Sequence, residues 1–389
     1  MKGDVGRMRP FETIRVIDLT HVLAGPFCTY QLALLGAEVV KIEHPRYPDA
    51  ARGRGPTPTE NAAGLGLNYQ VQAGNKRSLM LDLSSAVGRA VFERLVVEAD
   101  VLVENFRVGA LAALGIDHDA LAALNPMLIH CSITGFGQDG AWSGRNAYDN
   151  VIQAMSGIMA GTGAKTAASI VDYATGMNAA FAISAALYQR DRTGVGQAID
   201  VAMVDTAMMM MGPEAAAAHV PTEARMPVPR EAGIASYQTR DGTLMLGAFN
   251  VRQNRRLWRP LGRDDFASAC DWRAMWQAAG TMREALAEIL LSRAAAEWED
   301  LFNAAGIPAA RVRSLEDALT LPAVTDRGYL RTVPGGDAVV PTAPFRFATH
   351  GPSLDRAPPA PGQDTDSILA ELGLPADEIA SLRSQGVIA

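Results

Sequence analysis

Arg15-Val16-Ile17-Asp18-Leu19-Thr20 runs directly into His21-Val22-Leu23-Ala24-Gly25-Pro26, and the reading of this stretch decides the fold. Arg15 to Leu19 has the apolar, β-branched character of a buried strand, and Pro26 suits the first turn of a helix. A strand followed at once by a helix is the opening of a βα unit. Working outward, Glu38 to Ile42, Val101 to Glu104 and Leu128 to Ser132 read as further buried strands. Helical patterns lie between them, clearest from Ser85 to Glu98, where Val87, Val91 and Leu95 recur at i+4 behind the candidate caps Ser84 and Ser85. Strands separated by helices need crossover connections, which predicts an α/β fold with a parallel, Rossmann-like sheet covered on both faces. Ligands of such sheets sit beyond the carboxyl ends of the strands, so the residues that follow each strand carry the functional weight.

Further along, Ile170-Val171 reads as a short strand ending at Asp172, followed by a helix from Ala174 to Gln189, a turn at Thr193 to Gln197 and a strand from Ala198 to Met203. Pro213, Pro221, Pro227 and Pro229 then mark a linker into a smaller domain from about residue 230. That domain is expected to hold a strand at Thr243 to Leu246 and helices at Gln253 to Leu261 and Ala294 to Ala305. A proline cluster, Pro352 to Pro361, precedes two short terminal helices.

At 389 residues the chain exceeds what a single core normally serves, so two domains are expected. A net charge of -7 argues against a nucleic-acid binder. Cys28, Cys131 and Cys270 suggest neither a disulfide framework nor a metal site, which fits a reducing cytoplasm. The six histidines show no ligand spacing, so no metal is expected. Met1 to Pro10 is too charged for a secretory signal, and Met177 to Tyr188 is too short and Ala-rich to span a bilayer, so no membrane partner is expected.

Several groups could carry chemistry. Ala24-Gly25-Pro26 could present free N–H groups to a phosphate or carbonyl oxygen, although such a pair is more often only a helix start. Lys41, His44, Arg46, Arg52, Arg54, Lys76, Arg77 and Arg107 are cations near strand ends, suited to a phosphorylated nucleotide or simply to a solvated surface. In Glu104-Asn105-Phe106-Arg107 an amide able to bond both ways precedes an arginine suited to phosphate. Gly135-Phe136-Gly137-Gln138 and Thr193 to Gln197 are glycine-bearing turns, structural or functional, and Met208 to Met211 reads as packing or interface filler. Asp172, at a strand-to-helix turn, is either a helix cap or a catalytic carboxylate.

The order of motifs resembles the class III CoA-transferase family, which includes formyl-CoA transferase and carnitine CoA-transferase and also houses alpha-methylacyl-CoA racemase. The resemblance rests on Val16-Ile17-Asp18-Leu19-Thr20 with Leu23-Ala24-Gly25-Pro26, Leu35-Gly36-Ala37-Glu38-Val39-Val40-Lys41-Ile42-Glu43, Asn75-Lys76-Arg77-Ser78-Leu79, Ala99 to Arg107, Gly135 to Gln138, Ala147-Tyr148-Asp149, Asp172, Thr193 to Gln197, Ala305-Gly306-Ile307-Pro308 and Leu369 to Gly373. It implies a large domain built from both chain ends with a smaller α+β domain inserted: residues 1–210, a linker at 211–229, the small domain at 230–320, and 321–389 as linker and return. It implies an interlocked homodimer. The substrates would be an acyl-CoA and a small carboxylic acid, with coenzyme A as a substrate and no tightly bound cofactor. By position, Asp172 matches the acyl-accepting aspartate, and CoA contacts would fall on Leu23, Ala24, His44, Leu81, Leu83, Ser84, Asn105, Phe106, Arg107, Asn146, Tyr148 and Asp149. The implied reaction moves CoA from a thioester to a free acid through an aspartyl mixed anhydride and an aspartyl-CoA thioester. The alternatives are a 2-methylacyl-CoA racemase and a non-catalytic acyl-CoA-binding member. Tyr148 stands where the racemase branch has histidine, and Asn250 near the position of its second acidic residue. His44 and Ala113 stand where formyl-CoA transferase has arginines, shifting phosphate contacts toward Arg46 or Arg107. The glycine-rich loop of that enzyme has only a short counterpart at Gly233 to Tyr237, which sets formate and oxalate apart from the implied substrates.

Overall fold

The Val- and Ile-rich runs form one parallel sheet in a computed structural model that describes residues 8–224, 231–268 and 271–389. Its strands are β1 (Arg15–Asp18), β2 (Glu38–Glu43), β3 (Lys76–Met80), β4 (Val101–Glu104), β5 (Ile129–Thr134) and β6 (Gln197–Ala202). Their order is β3-β2-β1-β4-β5-β6, the arrangement of a Rossmann-like α/β sheet that reverses direction between β1 and β4. β3 was not among the expected strands, because Lys76 and Arg77 disguise it. It pairs in parallel with β2, Lys41 opposite Ser78. Met203, expected to end a strand, opens the helix Met203–Met210 instead.

Alternation along each strand divides the apolar side chains between two cores. Val16, Val39, Val101, Val103, Ile129 and Cys131 face the helix α1 (Ala24–Leu34) and the helix Ile170–Thr193. Ile17, Val40, Ile42 and Leu102 face the opposite side, where the helix Ala86–Glu98 lies, its N-cap Ser85 as expected. That second face is finished by the far end of the chain: Ile368, Leu369, Ile379 and Leu382, on the helices Thr365–Glu371 and Ala376–Ser384, join it with Val387 and Ile388.

The pair Ile170-Val171 is not a strand. It belongs to a 24-residue helix, Ile170–Thr193, so Asp172 lies in a first helical turn and not at a strand end. Two β-branched residues are too few to enter a sheet, and the position beside β5 is taken by β6. The helix also ends where the glycine turn was expected: Gly194 has φ +73° and its N–H bonds to the Arg190 carbonyl, so this turn is structural. Ile170–Thr193 is long and apolar enough to cross a bilayer, more so than the sequence suggested, but Ala179, Ala180, Ile183, Ala186 and Leu187 are buried against the sheet.

The chain divides into two compact units, Met1–His219 with Gly328–Ala389, and Val220–Arg327. The second unit is an antiparallel sheet of β7 (Ser236–Gln238), β8 (Thr243–Leu246) and β9 (Ala309–Arg311), order β7-β8-β9. Its core holds Leu257, Trp258, Leu286, Leu290, Trp298 and Phe302 from the helices Val251–Trp258, Ala279–Leu290 and Ala295–Ala304. Asn250 caps the first of these by accepting from the Gln253 N–H. Pro213 begins the helix Gly212–Ala218 within the expected linker. Pro227, Pro229 and Cys270 lie outside the described residues.

Candidate active site

At the carboxyl ends of β1, β4 and β5 a cavity of about 450 Å³ opens among His21 to Ala24, Asn105 to Val108, Thr134-Gly135, Ser143 to Tyr148 and Asp172. Two glycines make it possible. A methyl group on Gly176 would fall 2.5 Å from the Ala24 carbonyl oxygen, so this glycine lets the helix Ile170–Thr193 meet the start of α1. Phe27 and Tyr173 then stack edge to face with ring centroids 4.9 Å apart. Gly135 does the same for the opposite wall, where a methyl would lie 2.3 Å from the Ala147 Cβ.

Asp172 is partly exposed to the cavity, and Asp149 sits beneath it, 4% exposed. Asp149 Oδ1 accepts from the backbone N–H groups of Val171 at 2.9 Å and Asp172 at 3.3 Å, and Gln153 Nε2 donates to Asp149 Oδ2 at 2.6 Å. Ser169, at the N-cap position, makes no side-chain cap bond, so Asp149 performs that task from a neighbouring helix. Two carboxylates are thus close together. Burial first, and the Asp149 charge second, push the Asp172 carboxyl up to about 7.

Of the expected CoA-contacting residues, Leu23, Ala24, Asn105, Phe106, Arg107, Asn146 and Tyr148 line this cavity with Asp172. Asn105 does bond both ways, but to backbone: its Oδ1 accepts from the His21 N–H at 2.8 Å and its Nδ2 donates to the His21 carbonyl at 2.9 Å. His44, Leu81, Leu83 and Ser84 gather elsewhere, around Asp82. His44 Nε2 lies 3.4 Å from Asp82 Oδ1, and the Ser84 hydroxyl donates to that same oxygen at 2.6 Å. Leu81 is buried in a bridge to Ile388, so its side chain is not available to a ligand, nor is that of Asp149.

The expected phosphate cations divide sharply. Lys41, Lys76 and Arg52 are buried and committed: Lys76 Nζ to Asp18 Oδ2 at 2.9 Å, Lys41 Nζ to Asp49 Oδ2 at 3.2 Å, Arg52 Nη2 to Glu43 Oε2 at 2.6 Å. Arg77 pairs with Glu38 and Glu371. Arg107 and Arg145 both line the cavity, and neither pairs with a carboxylate among the described residues. Arg145 was not singled out from sequence; its guanidinium lies over the Trp142 ring, 3.9 Å from the centroid. No cluster of His, Cys, Asp or Glu among the described residues could hold a metal ion.

The model of CoA-transferase family III matches residues 11–365. The chain belongs to that family. Among its CoA-transferase relatives, the succinyl-CoA:glutarate CoA-transferase of Mus musculus is 34% identical, with 100% of this chain and 92% of that protein aligned. The succinate–glutarate CoA-transferase of Agrobacterium fabrum is 35% identical over 94% of this chain and 96% of that protein. A solved CaiB/BaiF family protein from Brucella suis superposes with a TM-score of 0.80 at 31% identity, covering 94% of this chain and 100% of that one.

Proposed function

We propose that this family III enzyme transfers CoA between carboxylic acids with Asp172 as the acyl acceptor, and that its acids include dicarboxylic acids. The observation that carries this reading is the Asp172 carboxylate at the start of one helix, in a cavity that the start of α1 also lines. A transferase must conserve thioester energy, so the acyl group passes to protein and not to water. In its ionised form an Asp172 oxygen attacks the thioester carbonyl. The C–S bond breaks, giving a mixed anhydride and CoA thiolate. The thiolate attacks the aspartyl carbonyl, the first acid leaves as carboxylate, and an aspartyl-CoA thioester remains. The incoming carboxylate attacks this thioester, and the returning thiolate then takes the new acyl group and frees Asp172.

The N–H groups of Leu23 and Ala24 have no hydrogen-bond partner among the described residues, and both residues line the cavity. They are suited to an oxyanion formed during each attack. Arg107 and Arg145 add positive charge to that cavity in a chain of net charge -7, which suits an acid with a second carboxylate or the CoA phosphates. The relatives named for glutarate support the dicarboxylic reading. A homodimer is part of the proposal: Phe181 at 76%, Tyr188 at 63% and Met209 at 61% exposure are large apolar surfaces for a chain to leave in water.

The test is a mass-spectrometric screen of acyl-CoA donors against mono- and dicarboxylic acids. New thioesters should form with dicarboxylic acceptors, and hydroxylamine added with the donor should modify Asp172. Donor hydrolysis without a new thioester would refute transfer, and sedimentation as a monomer at micromolar concentration would refute the dimer.

A further inference from the structure

Val22, in the wall of the Asp172 cavity, has φ +73°, a left-handed backbone that a β-branched residue rarely adopts. Of the other non-glycine residues with positive φ among those described, Asn75 and His350, asparagine and histidine tolerate it better. Burial does not explain Val22, which is 37% exposed.

What holds it is a sequence of side-chain bonds. Both backbone groups of Thr20, His21 and Val22 are engaged by side chains. The Thr20 N–H donates to Asp18 Oδ1 at 2.9 Å, and its carbonyl accepts from Lys41 Nζ at 2.5 Å. Asn105 takes both groups of His21. The Val22 N–H donates to Asp49 Oδ1 at 3.0 Å, and the Val22 carbonyl accepts from Gln72 Nε2. Immediately after this clamp come the unpartnered N–H groups of Leu23 and Ala24. Gln72 is 1% exposed, and its Oε1 is buried with no hydrogen-bond partner. An amide kept in the interior with half its polarity unmet is a poor choice for stability alone.

We propose that Gln72 and Asp49 are positioning residues: they hold Val22 in its left-handed conformation so that the Leu23 and Ala24 N–H groups face the carbonyl oxygen reacting at Asp172. This rests on the transferase reading of Asp172. Released from either bond, a valine at this position relaxes to negative φ and swings the following N–H groups away. A glycine has no such preference and can keep the turn.

The test uses the full-length enzyme. Gln72→Met nearly preserves volume and removes the orphaned oxygen, so its Tm should match or exceed that of the wild type. Its kcat should fall on the order of ten- to a hundredfold, since a small misplacement of reacting groups costs about that much. Its KM for acyl-CoA should stay within about threefold, because those N–H groups act on the transition state. Val22→Gly alone supplies the reference kcat against which the combination is read. Combined with Gln72→Met it should restore most of the lost kcat, which a purely structural role for Gln72 would not allow. A normal kcat in Gln72→Met, or a loss of kcat that Val22→Gly does not relieve, overturns the proposal. Retention of turnover by Asp172→Ala would instead refute the transferase reading beneath it, so the two failures are distinguishable.

Discussion

Two sets of buried or half-buried charges lie at the same end of one sheet, and they obey opposite rules. In the interior set, carboxylates are matched by cations: Asp18 with Lys76, Asp49 with Lys41, Glu43 with Arg52. Burial raises each of these carboxyls, but the cations and hydrogen bonds outweigh it and leave all three below the ordinary range. In the Asp149 and Asp172 pair no cation intervenes, and burial and like charge act together to raise Asp172. The matched set holds backbone in place, whereas the unmatched pair leaves one carboxylate poorly stabilised and ready to bond to carbon.

The sharpest test of this contrast removes the unmatched nucleophile. Asp172→Ala should lower turnover roughly ten-thousandfold or more while the fold persists, as loss of a covalent nucleophile does elsewhere; steady-state kinetics with thermal unfolding as control checks both halves. The matched set should respond in stability. Lys76→Met leaves Asp18 buried without its cation and should destabilise the chain by about 3–5 kcal/mol in denaturant titration.

Smaller effects separate the two carboxylates of the pair. A nucleophilic Asp172 must be ionised, so kcat/KM should rise as pH increases through about 7. Asp149→Asn keeps an oxygen for the Val171 and Asp172 N–H groups but removes the like charge, so that limb should move to lower pH. It also leaves Gln153 Nε2 without its acceptor, at a cost of about 1 kcal/mol. The smallest effect is on stability. Because the Asp172 carboxyl is raised in the folded chain, its favourable contribution is complete below its unfolded value and is lost as pH rises through about 7. Asp172→Asn should therefore melt a few degrees above wild type at pH 8 and no higher at pH 4. An unchanged difference across that range would mean that Asp172 is not raised.

These contrasts explain what could be read from residues alone. Most strands of the large sheet were legible because a buried parallel strand is rich in apolar and β-branched residues, as Val101 to Val103 is, whereas Lys76 and Arg77 hid β3. Lys41 and Lys76 were misleading because a charge bound for phosphate and a charge bound for a buried carboxylate look the same in one dimension. The partner of Lys76, Asp18, is on another strand 58 residues away. Asp172 was found, but through family resemblance, and its local structure was misread because its helix cap comes from Asp149, more than twenty positions earlier. The Val22 turn left no trace, since nothing about a valine announces positive φ.

The second face of the sheet has a consequence for how the molecule is made. Ile17, Val40 and Leu102 are synthesised long before the side chains that help cover them, among which are Ile368, Leu369, Leu382 and Ile388. A ribosome-bound chain therefore holds a sheet already able to pair its strands but open on one side, with an apolar surface available to chaperones or to another nascent chain. Contacts of such long sequence separation also make closure slow. The helices Thr365–Glu371 and Ala376–Ser384 act as a latch, and this face of the sheet stays open until they have been made.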